Sequence, residues 1–145
     1  MKIQGREVGS WLVIFVVFSS LLTGCGGPSK ITASMTVHEI ALSAASTKAG
    51  EITFHVKNES YQNESYQIVH NFVIIKTDLA ADALPIGADR KVDEGQFEVL
   101  GKIENLAGGD SADLTVTLDA GHYVLICNLQ DHYGAGMLAD FTVTP

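Results

Sequence analysis

From Ile31 to the C-terminus the apolar residues step in twos, and no segment longer than about ten residues keeps a helical spacing. Ile52, Phe54 and Val56 alternate with Thr53, His55 and Lys57, and Ala112 to Leu118 alternates in the same way. Thr36 to Leu42 and Leu138 to Thr144 have the same texture, while Val69 to Lys76 and Tyr123 to Cys127 are nearly continuous apolar runs. Aspartate, glycine and proline cluster between these segments, and Lys48-Ala49-Gly50 reads as a turn. Only Asp78 to Leu84 suggests a turn or two of helix. Short strands at this spacing predict an all-β domain, a Greek-key β-sandwich spanning residues 31–145.

The first 24 residues have a different character. Lys2 and Arg6 charge the amino end, Trp11 to Leu22 is almost wholly apolar, and Leu22-Thr23-Gly24-Cys25 places small residues directly before a cysteine. That order is the pattern of a bacterial lipoprotein signal, with Cys25 as the lipidated first residue of the mature chain. The apolar run is well short of the roughly 20 residues of a stable membrane span. Residues 25–30 are then expected to be the lipidated cysteine and a flexible tether, reaching at most roughly 17 Å. The domain is expected to be exported and held close to the membrane by its lipid.

Loss of Lys2, Arg6 and Glu7 with the signal takes the formal charge from -8 to -9. So acidic a surface argues against nucleic acid as a partner and for a neutral or basic docking face on any protein partner. With Cys25 modified, Cys127 is the one remaining thiol. On the oxidising side of a membrane a bare thiol is a liability, and metal coordination or simple burial would explain it.

Asn58-Glu59-Ser60-Tyr61-Gln62 is followed at once by an identical copy, residues 63–67. Two copies cannot build a solenoid, so the repeat reads as a duplication that lengthened a surface loop at little entropic cost.

The chemistry concentrates near the C-terminus. Cys127 ends an apolar strand, and His132 and Met137 follow at intervals of five along a glycine-containing loop that can turn thiolate, imidazole and thioether toward one point. A thiolate with two imidazoles and a weak axial thioether is the ligand set of a blue copper electron-transfer site. The second imidazole must come from elsewhere, and His70, at the head of an apolar strand, is the candidate. Zinc at the same residues is chemically possible, although methionine is not among its usual ligands. Cys127 and His132 as a nucleophile and base lack an evident orienting residue or oxyanion loop. His38, His55 and His122 lack such company and read as surface histidines, and Met35 as core.

In these residues the chain resembles the cupredoxins. His70-Asn71-Phe72 matches their first ligand strand, and Cys127 to Met137 their C-terminal ligand loop. Four residues lie between Cys127 and His132 and four between His132 and Met137, a spacing similar to sulfocyanins, auracyanins and rusticyanin. The resemblance implies one copper ion on His70, Cys127, His132 and Met137, with the Asn71 side chain tying the two ligand segments together. It implies that His132 lies near the surface as the route for electrons, with Leu129, Tyr133, Gly134 and Ala135 as docking rim. Gln130-Asp131 stands where many relatives carry proline or glycine and brings a carboxylate near the site. The expected role is that of a monomeric single-electron carrier, not an enzyme, serving redox proteins such as a cytochrome or terminal oxidase. A copper-delivery protein of the same fold is the rival, although methionine-rich and histidine-rich tracts are absent from the sequence.

Overall fold

Alternation along the chain becomes two-sided burial in space. In β4 (Gly50–Asn58), Ile52, Phe54 and Val56 are fully buried, while His55 and Lys57 face solvent. The structure, a computed structural model, describes residues 27–63 and 66–145, and the side chains of all of these except 61–63, 66 and 67. The expected signal segment and the lipidated Cys25 lie outside the described residues.

The remaining strands are β1 (Ser29–Met35), β2 (Ile40–Leu42), β3 (Ser46–Lys48), β5 (Tyr61–Asn63), β6 (Tyr66–Gln67), β7 (His70–Lys76), β8 (Glu98–Leu106), β9 (Ser111–Leu118), β10 (Gly121–Ile126) and β11 (Leu138–Thr144). Two short 3-10 turns, Ala81–Ala83 and Glu94–Gln96, complete the described elements. One sheet has the order β2-β1-β4-β9 and the other β3-β11-β10-β7-β8, with β1 parallel to β4 and β3 parallel to β11. This is the expected all-β sandwich. Its core lies between the sheets, where Ile31, Ala33, Met35, Ile52, Phe54 and Val56 meet Phe72, Ile74, Tyr123, Leu125, Phe141 and Val143. Each large apolar side chain buried there contributes about 1.5–3 kcal/mol.

Three local expectations differ from the structure. Thr36 to Leu42 is not one strand: the chain turns after Met35, with Thr36 N donating to Glu39 O at 3.0 Å, and returns as β2 with Ile40 opposite Met35. That turn holds neither glycine nor proline, so the alternation runs through it unmarked. Strand β1 begins at Ser29, opposite Ile52, so Ser29 and Lys30 of the expected tether belong to the sheet. His122 is not a free surface histidine: its Nδ1 bonds the Thr77 carbonyl at 2.7 Å and its Nε2 the Asp140 carboxylate at 2.9 Å.

The runs Val69 to Lys76 and Tyr123 to Cys127 are continuous because β7 and β10 are covered on both faces. Their outer faces carry Val73, Ile75, Val124 and Ile126, which pack under Ala81, Leu84 and Val92 of the connection between β7 and β8, and against Tyr133. A strand buried on both sides loses the polar half of its alternation.

Candidate metal centre

His70 opens β7 at the end of the sandwich where the C-terminal ligand loop also lies. A bulge between His70 and Phe72 breaks the register with β8, the kind of irregularity that re-aims a side chain. The imidazole is fully buried. Its Nδ1 faces Cys127 Sγ at 3.7 Å, and its Nε2 lies 3.0 Å from Ser60 Oγ.

Cys127 follows directly on β10 and is also fully buried. Backbone amides of Asn71, at 3.4 Å, and of Leu129 point at its sulfur. Burial raises the thiol pKa above its ordinary value, more than these amides lower it. The thiolate therefore needs a cation beside it, which a bound metal supplies.

Beyond Cys127 the loop folds back on itself. His132 N donates to Leu129 O at 3.0 Å, Gly136 N to Tyr133 O at 3.0 Å and Met137 N to His132 O at 3.1 Å. Cys127 N donates to Met137 O at 3.0 Å, which closes the loop and brings the buried Met137 back beside the cysteine. Asp131 adopts φ 71° and pairs with Arg90. Aspartate is one of the few side chains that tolerate such a left-handed backbone. The carboxylate expected near the site is thus shared with an arginine that the sequence did not single out.

His132 is half-buried, and its Nδ1 lies 3.3 Å from Cys127 Sγ and 3.1 Å from His70 Nδ1. The ligating atoms of His70, Cys127 and His132 all fall within 4.8 Å of one another. An ion bound to nitrogen at roughly 2.0 Å and to thiolate at roughly 2.3 Å, as zinc is, spaces three donors around itself by about 3.5 to 3.8 Å. The observed gaps are close to that, so the donor set fits one ion with little movement. Burial, with His132 beside it, lowers the His70 pKa to about 4 against a small upward pull from the Thr36 carbonyl. Burial also lowers that of His132, with Asp131 opposing and His38 adding to the shift. Both rings are therefore neutral near pH 7, the form that binds metal.

Asn71 Oδ1 accepts from Asn128 N at 2.6 Å, so this buried side chain joins the His70 strand to the residue after Cys127. Asn128 in turn accepts from Val92 N at 2.8 Å and donates to Val92 O at 2.9 Å and to Glu94 Oε1 at 2.7 Å. Nothing in the sequence marks Asn128 or Ser60 for these tasks, since their partners lie on other elements.

Of the four residues expected at the docking rim, Gly134 and Ala135 are exposed and Leu129 is half-buried against the core. Tyr133 is a correction. It is buried, donates its hydroxyl hydrogen to Ala81 O at 2.7 Å and accepts from Leu84 N at 2.9 Å, so it anchors the outer layer and presents no docking surface. Exposed Ile86 stands nearer its expected place, lining a shallow groove with Arg90, Asp131, Gly134 and Ala135. His38 and His55 are exposed, and His55 pairs with Asp113 at 2.6 Å. Met35 is core, as expected.

Residues 31–144 match the family described as copper binding proteins of the plastocyanin/azurin type. Among solved structures, dithionite-reduced auracyanin from the photosynthetic bacterium Roseiflexus castenholzii is 26% identical, with a TM-score of 0.56 over 83% of this chain and 100% of its own. Auracyanin B, at 24% identity and a TM-score of 0.52, covers 83% of this chain and 92% of its own. Reduced rusticyanin, at 18% identity and a TM-score of 0.52, covers 82% of this chain and 81% of its own. The last two likenesses speak for the fold alone. No curated protein matches the chain. With a buried Cys127 and two neutral imidazoles converging where the ligand motif puts them, on a sandwich matched from residue 31 to 144, the chain belongs to the plastocyanin/azurin family of copper-binding, electron-transferring proteins, the cupredoxins.

Proposed function

We propose that the domain is a lipid-anchored single-electron carrier in which His70 Nδ1, Cys127 Sγ and His132 Nδ1 would hold one copper ion, with the Met137 thioether as a fourth, weaker ligand. The observation that carries this reading is the convergence of three donors, two of them fully buried, on one point. Copper bound to such a set alternates between Cu(I) and Cu(II).

The protein's own part is to hold the donors still and keep water away. His70 and Cys127 are closed off from solvent, and Asn71 ties their segments together. Half-buried His132 is the ligand ring nearest the surface, so electrons enter and leave there. Ile86, Gly134 and Ala135 line an apolar groove in which Arg90 and Asp131 add one charge of each sign. A small contact of this kind suits a carrier that must dissociate quickly.

Partners are redox proteins of the same membrane, such as a cytochrome or a terminal oxidase, and the carrier works as a monomer on the exported side. Support for the anchor is the run from Lys2 to Cys25; among the described residues no helix is long and apolar enough to cross a membrane. Changing Cys25→Ser in the full chain is expected to move the protein from the membrane to the soluble fraction; continued sedimentation with membranes would refute the lipid anchor.

The decisive experiment loads the domain with Cu(II) and records visible absorption and electron paramagnetic resonance beside Cys127→Ser. An intense blue thiolate band with narrow copper hyperfine splitting, bleached reversibly by ascorbate and absent from Cys127→Ser, is the expected result. A copper signal indifferent to Cys127 would overturn the site. A blue centre that passes its ion, and not its electron, to partner proteins would favour copper delivery.

A further inference from the structure

The two copies of Asn-Glu-Ser-Tyr-Gln are chemically identical, yet the fold uses the first in a definite way. Asn58 is fully buried, and its Nδ2 donates to Ile68 O at 2.7 Å and to Leu106 O at 2.9 Å. Its Oδ1 accepts from Ser60 N at 2.9 Å. Glu59 N donates to Met35 O at 2.8 Å. These bonds fix the backbone leading into Ser60, whose hydroxyl then lies 3.0 Å from His70 Nε2 with Ser60 itself only 4% exposed.

We infer that Ser60, in the first copy of the repeat, is a positioning residue for the copper ligand His70. The inference rests on the reading of His70 as a ligand. An imidazole that offers Nδ1 to a metal carries its proton on Nε2, and in a buried place that proton needs an acceptor. Ser60 Oγ supplies one, beside the Thr36 carbonyl. The bond fixes the tautomer and ring orientation and makes Nδ1 the better donor.

Tyr61 pairs with Gln67, and Asn63 with Tyr66, so the backbone at Tyr61 and Gln67 is adjacent. Removing residues 62–66 joins Tyr61 to Gln67 and leaves one intact copy of the motif where the first now stands. The duplication could therefore enter the chain without moving Asn58 or Ser60.

Three variants of the copper-loaded domain test this. Ser60→Ala is expected to weaken Cu(II) binding about tenfold, the low end of the range for partners of a metal-bound histidine because the Thr36 carbonyl remains. A tenfold loss confined to Cu(II) raises the midpoint potential by about 59 mV. Ser60→Thr, which keeps the hydroxyl, restores both values. The deletion of residues 62–66, which keeps Asn58 to Tyr61 and joins them to Gln67, leaves both unchanged. A Ser60→Ala protein that unfolds at the same denaturant concentration as the parent, with unaltered affinity and potential, overturns the inference. So does a deletion that shifts the potential as far as Ser60→Ala.

A separate measurement stands even if the copper reading fails. Nitrogen NMR of metal-free protein is expected to find His70 in its Nε2-protonated tautomer, and Ser60→Ala to lose that preference. An unchanged tautomer would show that Ser60 does not position the ring.

Discussion

The strand that carries His70 and the loop that carries Cys127, His132 and Met137 meet at one point but are held there by different means. β7 is paired on both edges, by β8 and β10, and covered on both faces, so Phe72 to Ile75 have no exposed surface. The loop after β10 is held by its own turns and by ties from Asn128, Asp131 and Tyr133 to other segments, with left-handed backbone at Asp131 and Gly136, and its tip at 134–136 is exposed. One side of the site is thus wholly core, and the other leaves the core at Cys127, reaches the surface and returns to the core at Met137. Such a division suits an electron carrier: the buried side fixes the geometry, and the loop brings His132 to the surface.

The largest expected effect breaks the core side. Phe72 packs on Phe54 with ring centroids 5.7 Å apart, and Phe72→Ala is expected to cost about 3–5 kcal/mol. Urea denaturation of the metal-free domain measures it, and a loss under 1 kcal/mol would show that β7 is not the rigid partner.

Cutting the fastening comes next. Asn71→Ala leaves Asn128 N buried without its acceptor, for a loss of about 1–3 kcal/mol, and copper should also leave faster. A variant that is destabilised but releases copper to a chelator at the parent's rate would mean that Asn71 serves the fold and not the site.

The smallest effect lies in the loop itself. Gly136 has φ 106°, and a Cβ there would come within 3.0 Å of His38 O, so Gly136→Ala should cost roughly 1–2 kcal/mol. Hydrogen exchange should then quicken between Leu129 and Met137 and stay unchanged from His70 to Lys76. Equal quickening in both segments would erase the distinction between the two sides.

The legible and illegible parts of the molecule divide along similar lines. The alternation in β4, β9 and β11 is visible as letters, because the period of two states which side chain goes inward. Cys127, His132 and Met137 are close in sequence and read as one motif. Tyr133 is not legible as an anchor because its neighbours in sequence are loop tip, whereas its neighbours in space are Ala81 and Leu84. Ser60 sits in a repeat that reads as length alone, and its role depends on Asn58 holding Ile68 and Leu106. Strand β8 carries no clear sequence mark because two irregularities in its pairing with β7 interrupt the alternation.

What the sequence determined by itself is the class of fold, the run of candidate ligands and their order, because period, residue type and spacing are local properties of a chain. What only the tertiary structure decided is the parallel placing of β1 beside β4, the second covering layer over β7 and β10, and the partners that fasten each ligand. Those depend on contacts between residues tens of positions apart, such as Ser60 with His70 or Asn71 with Asn128. Hydrogen bonds of that kind are chosen by which backbone and side-chain groups the packed core leaves facing one another.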